Sequence, residues 1–114
     1  MTLDAFLEKL NTTPNSIEFT DTIAVIDSLY DFTPTAFENG ELQNAANQNN
    51  GSCKLFAFAK LQGLNKEQTL ACFGAFYRKD VLEQPAGTDH GNIRNFIKYG
   101  WHGIVYAGEP LRQR

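Results

Sequence analysis

Hydrophobic residues return every three or four positions at several places along this chain, and each such run predicts one buried face of a helix. Leu3, Phe6, Leu7 and Leu10 form the first, behind a Thr2 able to cap the opening turn, and Asn11-Thr12-Thr13-Pro14 ends it. Ile23, Ile26 and Tyr30 share a face, extended by Ala24 and Val25, which predicts a second helix over about Asp21–Leu29 capped by Thr20. The pattern then changes. Residues 34–38 and 41–44 flank Asn39-Gly40, a dipeptide suited to the positive φ angles of a tight hairpin, so two short strands are expected there.

The apolar positions between Cys53 and Gln62 surround most of a helix rather than one side of it: Leu55, Phe56, Phe58, Ala59 and Leu61. That marks a buried central helix, with Ser52 as its cap and Gly63 as its left-handed stop. Asn65 and Gln68 have capping-box spacing for a fourth helix running to about Tyr77, with Val81 and Leu82 adding a turn before Pro85. Thr88 or Asp89 can cap a fifth, which carries Ile93, Phe96 and Ile97 and stops at Gly100. Strand formers fill Gly103–Ala107, and the Gly108-Glu109-Pro110 turn lets Leu111–Arg114 return or trail away. The expected fold is α+β: one mainly helical domain over residues 1–114, with about five helices and a small antiparallel sheet.

Composition narrows the function classes more than it selects one. At 114 residues, 42% apolar and 20% charged, with nine Phe, four Tyr and one Trp, the chain can close a single core and should not be disordered. Its net charge is −3, with Lys and Arg scattered, so the electrostatic footprint of a nucleic-acid binder or of a polybasic membrane patch is missing. No apolar run approaches the roughly 20 residues of a membrane span, and Met1-Thr2-Leu3-Asp4 lacks the basic and apolar regions of a secretory signal, so the cytoplasm is the expected compartment. Cys53 and Cys72 both fall in helical segments of a well-supplied core and are expected as free thiols. With His90 and His102 they give no short ligand spacing for zinc, and Gly40, Gly51, Gly63 and Gly74 are too isolated for a phosphate loop; no cofactor is expected.

Four phrases carry a family resemblance: Tyr30–Phe37 followed by Asn39-Gly40, then Asn49-Asn50-Gly51-Ser52-Cys53-Lys54, then Thr69–Gly74, and Thr88-Asp89-His90 leading into Asn92–Phe96. In that order the chain resembles the HopJ family, from about Leu3 to Tyr106. The resemblance implies a type III effector, delivered into host cells, without an agreed molecular activity or a transferable active-site pattern. The helix expected over Leu3–Leu10 contrasts with the loose Ser-rich leader usual in type III signals.

Two constellations offer chemistry. A thiol at a helix start is acidified by unpaired N–H groups, so Cys53 is a candidate nucleophile. Gln48–Phe58 loosely resembles the segment around a papain-like nucleophile, with Gln48 upstream, Lys54 where that pattern has Trp, His102 as the base and Asp89, Asn92 or Asn95 as the orienting group. The alternative is a binding module. Asn44, Gln48, Asn49, Asn50 and Lys54 would present polar groups from the loop entering the central helix, and Asp89, His90 and Arg94 from the start of the fifth. The expected partner is a small molecule or a host or bacterial protein, and the aromatic residues from Phe56 to Trp101 are expected to be core.

Overall fold

The computed structural model describes residues 1–114. Helix α1, Leu3–Thr12, opens with the Thr2 hydroxyl accepting the Ala5 N–H at 3.1 Å, as the sequence predicts. A 3₁₀ turn at Pro14–Ser16 leads into α2, Phe19–Leu29. Thr20 is not its cap: Glu18, two residues earlier, forms a reciprocal capping box with Asp21. The buried side of α2, Val25 and Ile26, packs on the central helix α3, Asn50–Leu61, and α1 reaches it through Phe6, whose ring lies 5.9 Å from that of Phe58.

Helix α3 is interior, with Cys53 through Ala59 buried apart from Lys54. Phe56 is the hub of the aromatic core, 4.9 Å from the Phe96 ring, 5.4 Å from Phe73 and 6.4 Å from Trp101 between centroids. Its start lies three residues before the expected position. The Cys53 N–H is donated to the Asn49 carbonyl at 3.0 Å, so Asn49 is the cap residue and Ser52 is already inside the first turn. Asn49 holds left-handed angles (φ 54°, ψ 47°), which Asn tolerates better than most residues. Gly63, at φ +67°, ends the helix as expected.

The fourth helix is shorter than the apolar pattern suggests. α4 keeps the Asn65–Gln68 capping box but covers only Lys66–Ala71, and a π-helical segment, Phe76–Val81, replaces the expected continuation. Gly74 is the cause. At φ +61° it leaves helical angles, and a side chain there would lie 2.7 Å from the Phe19 backbone nitrogen, so the chain bends where it passes the start of α2. Helix α5, Gly91–Tyr99, is preceded not by a Thr88 or Asp89 cap but by His90 in the left-handed region (φ 51°, ψ 50°). Gly100, at φ +65°, stops it as predicted, and a 3₁₀ turn, Gly100–Gly103, leads to the last strands.

The strands are β1 (Tyr30–Phe32), β2 (Phe37–Asn39), β3 (Leu42–Asn44), β4 (Ile104–Tyr106) and β5 (Leu111–Gln113). All pairings are antiparallel, β1 with β5 and β3-β2-β4 in a second sheet. The hairpin turn is Gly40-Glu41, with Asn39 still in β2 opposite Leu42, so the strands are shifted and shorter than 34–38 and 41–44. Gly40 alone supplies the positive φ, as a two-residue turn with Gly first requires. β1 was not legible as a strand, since Tyr30 also continues the apolar face of α2.

The two sheets are parts of one ribbon, residues 29–40 against 103–114, in a single register from Tyr30↔Gln113 to Asn39↔Ile104. Bonds from Thr33 N–H to the Pro110 carbonyl (2.8 Å) and from Ala107 N–H to the Ala36 carbonyl (3.0 Å) bracket a break at Pro34-Thr35 and Gly108-Glu109. Regular alternation would put the next bonded pair after Ala36–Ala107 at Pro34–Glu109, but Pro34 has no N–H to donate. The phase resets there. Tyr30 is therefore buried on one side of the break and Phe37 on the other, while Asp31 and Glu38 face water.

Candidate functional site

The starts of α3 and α5 open onto the same recess, of about 340 Å³, between Phe19, Phe73 and Phe76 on one side and Leu42 and Ile93 on the other. The first backbone bond of α3 comes from Cys53 N–H and that of α5 from Arg94 N–H, to the His90 carbonyl at 3.1 Å. The amides of Gly51 and Ser52, and of Gly91, Asn92 and Ile93, have no acceptor in the protein, and these residues line the recess. Unpaired N–H groups at two helix starts favour negative charge there. Phe76, 41% exposed, edges onto Phe19 at 5.3 Å and lies 5.2 Å from the His90 ring.

A buried asparagine network brings the two helix starts together. Asn92, on α5, donates to the Asn44 Oδ1 at 3.0 Å, and Asn44 donates to the Asn92 Oδ1 at 3.1 Å. Asn49 donates to the same Asn44 oxygen at 2.7 Å, and Asn39, fully buried, donates to the Asn92 carbonyl at 2.7 Å. Asn95 closes the set by donating to the Asn39 carbonyl at 2.9 Å. Neutral amides carry both donors and acceptors, so they join two strands and two helix starts without burying a charge. The Asn39 Oδ1 and the Asn50 Oδ1 are buried without a partner.

His90 contributes its ring to the recess through Asp80, whose carboxylate lies 3.0 Å from Nε2; the Asp89 carboxylate is 3.8 Å away. Asp80 sits on the π-helical segment and nothing in the sequence singles it out, because its partnership with His90 depends on the bend at Gly74. Arg94 is engaged within the protein through all three of its nitrogens. It donates to the carbonyls of Asp89, Gln84 and Asp80 and pairs with the Asp89 carboxylate at 2.7 Å, so it staples the 80–90 loop. The same hydrogen bond holds the Asp89 carboxyl below the usual carboxylate range, although Asp89 is exposed.

The remaining sequence-nominated residues lie elsewhere. Lys54 points away from the recess to Asp27, at 2.8 Å, and sits 5.0 Å over the Phe32 ring. Gln48 and Asn44 border a separate depression on the sheet, and the Gln48 Oε1 accepts the Ala45 N–H at 3.2 Å.

Cys53 is buried, 1% exposed, with Sγ 3.5 Å from the Thr35 carbonyl. Burial raises its thiol pKa, only partly offset by the Thr35 bond. A nucleophilic thiol needs the opposite shift and an open approach. The helix starts one turn earlier than the sequence suggests, so the Cys53 N–H is already paired, and the Tyr106 hydroxyl covers the Cys53 carbonyl at 2.8 Å. His102 is exposed on the 3₁₀ turn without a hydrogen bond, and no specific contact links it to Cys53. Asn92 and Asn95, offered as orienting groups for that imidazole, are bound into the amide network. Cys72 is unpaired and buried too, its thiol pushed to about 12 by burial, against a smaller opposite effect of its hydrogen bond with Thr22.

No helix is long and apolar enough to cross a membrane. No curated protein matches the chain. A solved structure described as "Crystal structure of unknown function protein VPA0580" superposes with a TM-score of 0.98 at 56% identity, covering 100% of this chain and 95% of that one. The family model for the HopJ type III effector protein matches residues 3–111, nearly the full length over which the recess, the asparagine network and the ribbon are built, and the chain belongs to that family.

Proposed function

We propose that this HopJ protein is a binding module for a small acidic molecule with an apolar body, held in the recess between the starts of α3 and α5. The observation that carries this reading is the convergence of two sets of unpaired helix-start amides on one recess whose opposite wall is aromatic. The acidic group would sit at the amides of Gly51, Ser52, Gly91 and Asn92, and the apolar body against Phe19, Phe73 and Phe76. His90, oriented by Asp80, would add a donor at the rim. The recess volume is at the small end of the range for ligand pockets, roughly 300–1,000 Å³.

Thermal unfolding with phenylacetate and with its neutral analogue phenylacetamide tests the proposal. The acid is expected to raise the unfolding temperature in a concentration-dependent way and the amide is not, because stabilisation follows binding to the native state. Ser52→Leu, which fills the recess from a partly exposed position, should abolish the shift. Equal shifts with acid and amide, or an undiminished shift in Ser52→Leu, would refute it. The family description supports delivery by a type III system as the route to the site of action; a reporter fused to the chain should reach host cells only when that system is intact.

A further inference from the structure

The ribbon leaves one long edge unpaired, and its hydrogen bonds decide which backbone groups on that edge are free. Gly40 N–H donates to the Gly103 carbonyl at 3.0 Å and Ala107 N–H to the Ala36 carbonyl at 3.0 Å, so odd-numbered residues of this stretch face β2. Ile104 and Tyr106 turn their backbone groups outward. Beyond the break, Thr33 N–H donates to the Pro110 carbonyl and Arg114 N–H to the Leu29 carbonyl, so Leu111 and Gln113 turn outward. The Ile104 N–H is used by the Trp101 carbonyl. Its own carbonyl stays free, as do both backbone groups of Tyr106, Leu111 and Gln113.

This edge lines a groove of about 660 Å³, whose other wall is the last turn and a half of α3: Ala57, Lys60 and Leu61. Leu61 is 59% exposed, and Val105 beside the groove is 54% exposed. Native proteins usually cover or blunt such an edge. The groove is also positively biased: Lys60 and Arg112 line it and neither is in an ion pair, with Glu109 the one acidic residue alongside them. A second copy of this chain would bring Lys60 and Arg112 against the same residues, because a two-fold interface uses one patch on both sides. Like charges would meet.

We infer that the β4–β5 edge docks an extended segment of another protein, with acidic and apolar side chains in alternation, as an added strand. The backbone of that segment would bond to Tyr106, Leu111 and Gln113, its apolar side chains would cover Leu61, and its carboxylates would meet Lys60 and Arg112. The break at Gly108–Pro110 limits each bonded run to a few residues, which suits a short linear segment. The groove lies at the opposite end of α3 from the recess, and docking there does not depend on it.

The probe is an acetylated, amidated hexapeptide alternating valine and glutamate, titrated into the full chain while backbone amides are followed by NMR and hydrogen exchange. The Tyr106, Leu111 and Gln113 amides should shift together, and their exchange should slow at least tenfold at saturation. The lysine counterpart of the peptide should bind at least tenfold more weakly, and so should a version N-methylated at every valine. Lys60→Glu with Arg112→Glu, both exposed changes, should reverse the preference between the acidic and basic peptides. No binding at millimolar peptide, equal binding of the basic or N-methylated peptide, or protection of these amides through self-association without peptide would each overturn the inference.

Discussion

Asn92 sits where two strands and two helix starts meet, and the amide chemistry of that one residue holds the candidate site together. Its side chain both donates to and accepts from Asn44, and its backbone carbonyl takes the Asn39 amide. Asn92→Ala would leave buried groups on Asn44 and Asn39 short of partners. Each orphaned group costs about 1–3 kcal/mol, so a loss of about 2–4 kcal/mol is expected in chemical denaturation. Asn92→Asp would be as damaging near neutral pH, because it buries a charge and removes the donor. The thiols give a second residue-scale prediction. Both are buried with raised pKa values, so an alkylating probe at pH 8 should label neither in the native protein and both after unfolding. The sign for stability follows: the unfolded thiol ionises near 9.0 and the folded Cys72 only near 12, so stability is intact below pH 9 and falls as pH rises between those values. An unfolding midpoint that did not decline over that window would contradict the burial described for Cys72.

At the scale of elements, periodicity and stop signals proved the strongest guides, and local competition between caps the weakest. The Thr2 and Asn65 caps, and the Gly63 and Gly100 stops, lie where the sequence places them, because each depends on neighbours within one turn. Helix starts with several polar residues in a row were misplaced: Glu18 prevails over Thr20, Asn49 over Ser52, and His90 over Thr88 and Asp89. Tertiary packing makes those choices. The misplacement at Ser52 mattered most, since it suggested an acidified Cys53 where the structure has a buried thiol of raised pKa. The α4 break had a visible signal in Gly74, whose reason lies in the close approach of the Ile17–Phe19 backbone, invisible from sequence. Gly74→Ala meets both an unfavourable φ and that backbone, and should cost at least about 2 kcal/mol. Because the bend also positions Asp80 beside His90, the same substitution should weaken phenylacetate binding in whatever fraction stays folded.

Across the whole molecule, an aromatic interior centred on Phe56 fixes the angle between α3 and α5 and so fixes how their starts face each other. Truncation at Phe56, which contacts rings on α5, the ribbon and the turn after α4, should cost about 3–5 kcal/mol. The sequence pointed to the loop entering α3 and to the start of α5 as binding segments, and folding brings those two together through Asn44, Asn49 and Asn92. It could not indicate that Lys54 would turn to Asp27 or that Arg94 would be consumed by loop carbonyls, since both outcomes depend on partners remote in the fold. Phenylacetate titrated against the isotope-labelled chain, read at the backbone amides, is the most direct test of binding in the recess. The amides of Gly51, Ser52, Gly91 and Asn92 should shift together along one saturating curve, with phenylacetamide leaving them in place. Unmoved amides at both helix starts, or the same response to the neutral analogue, would contradict it.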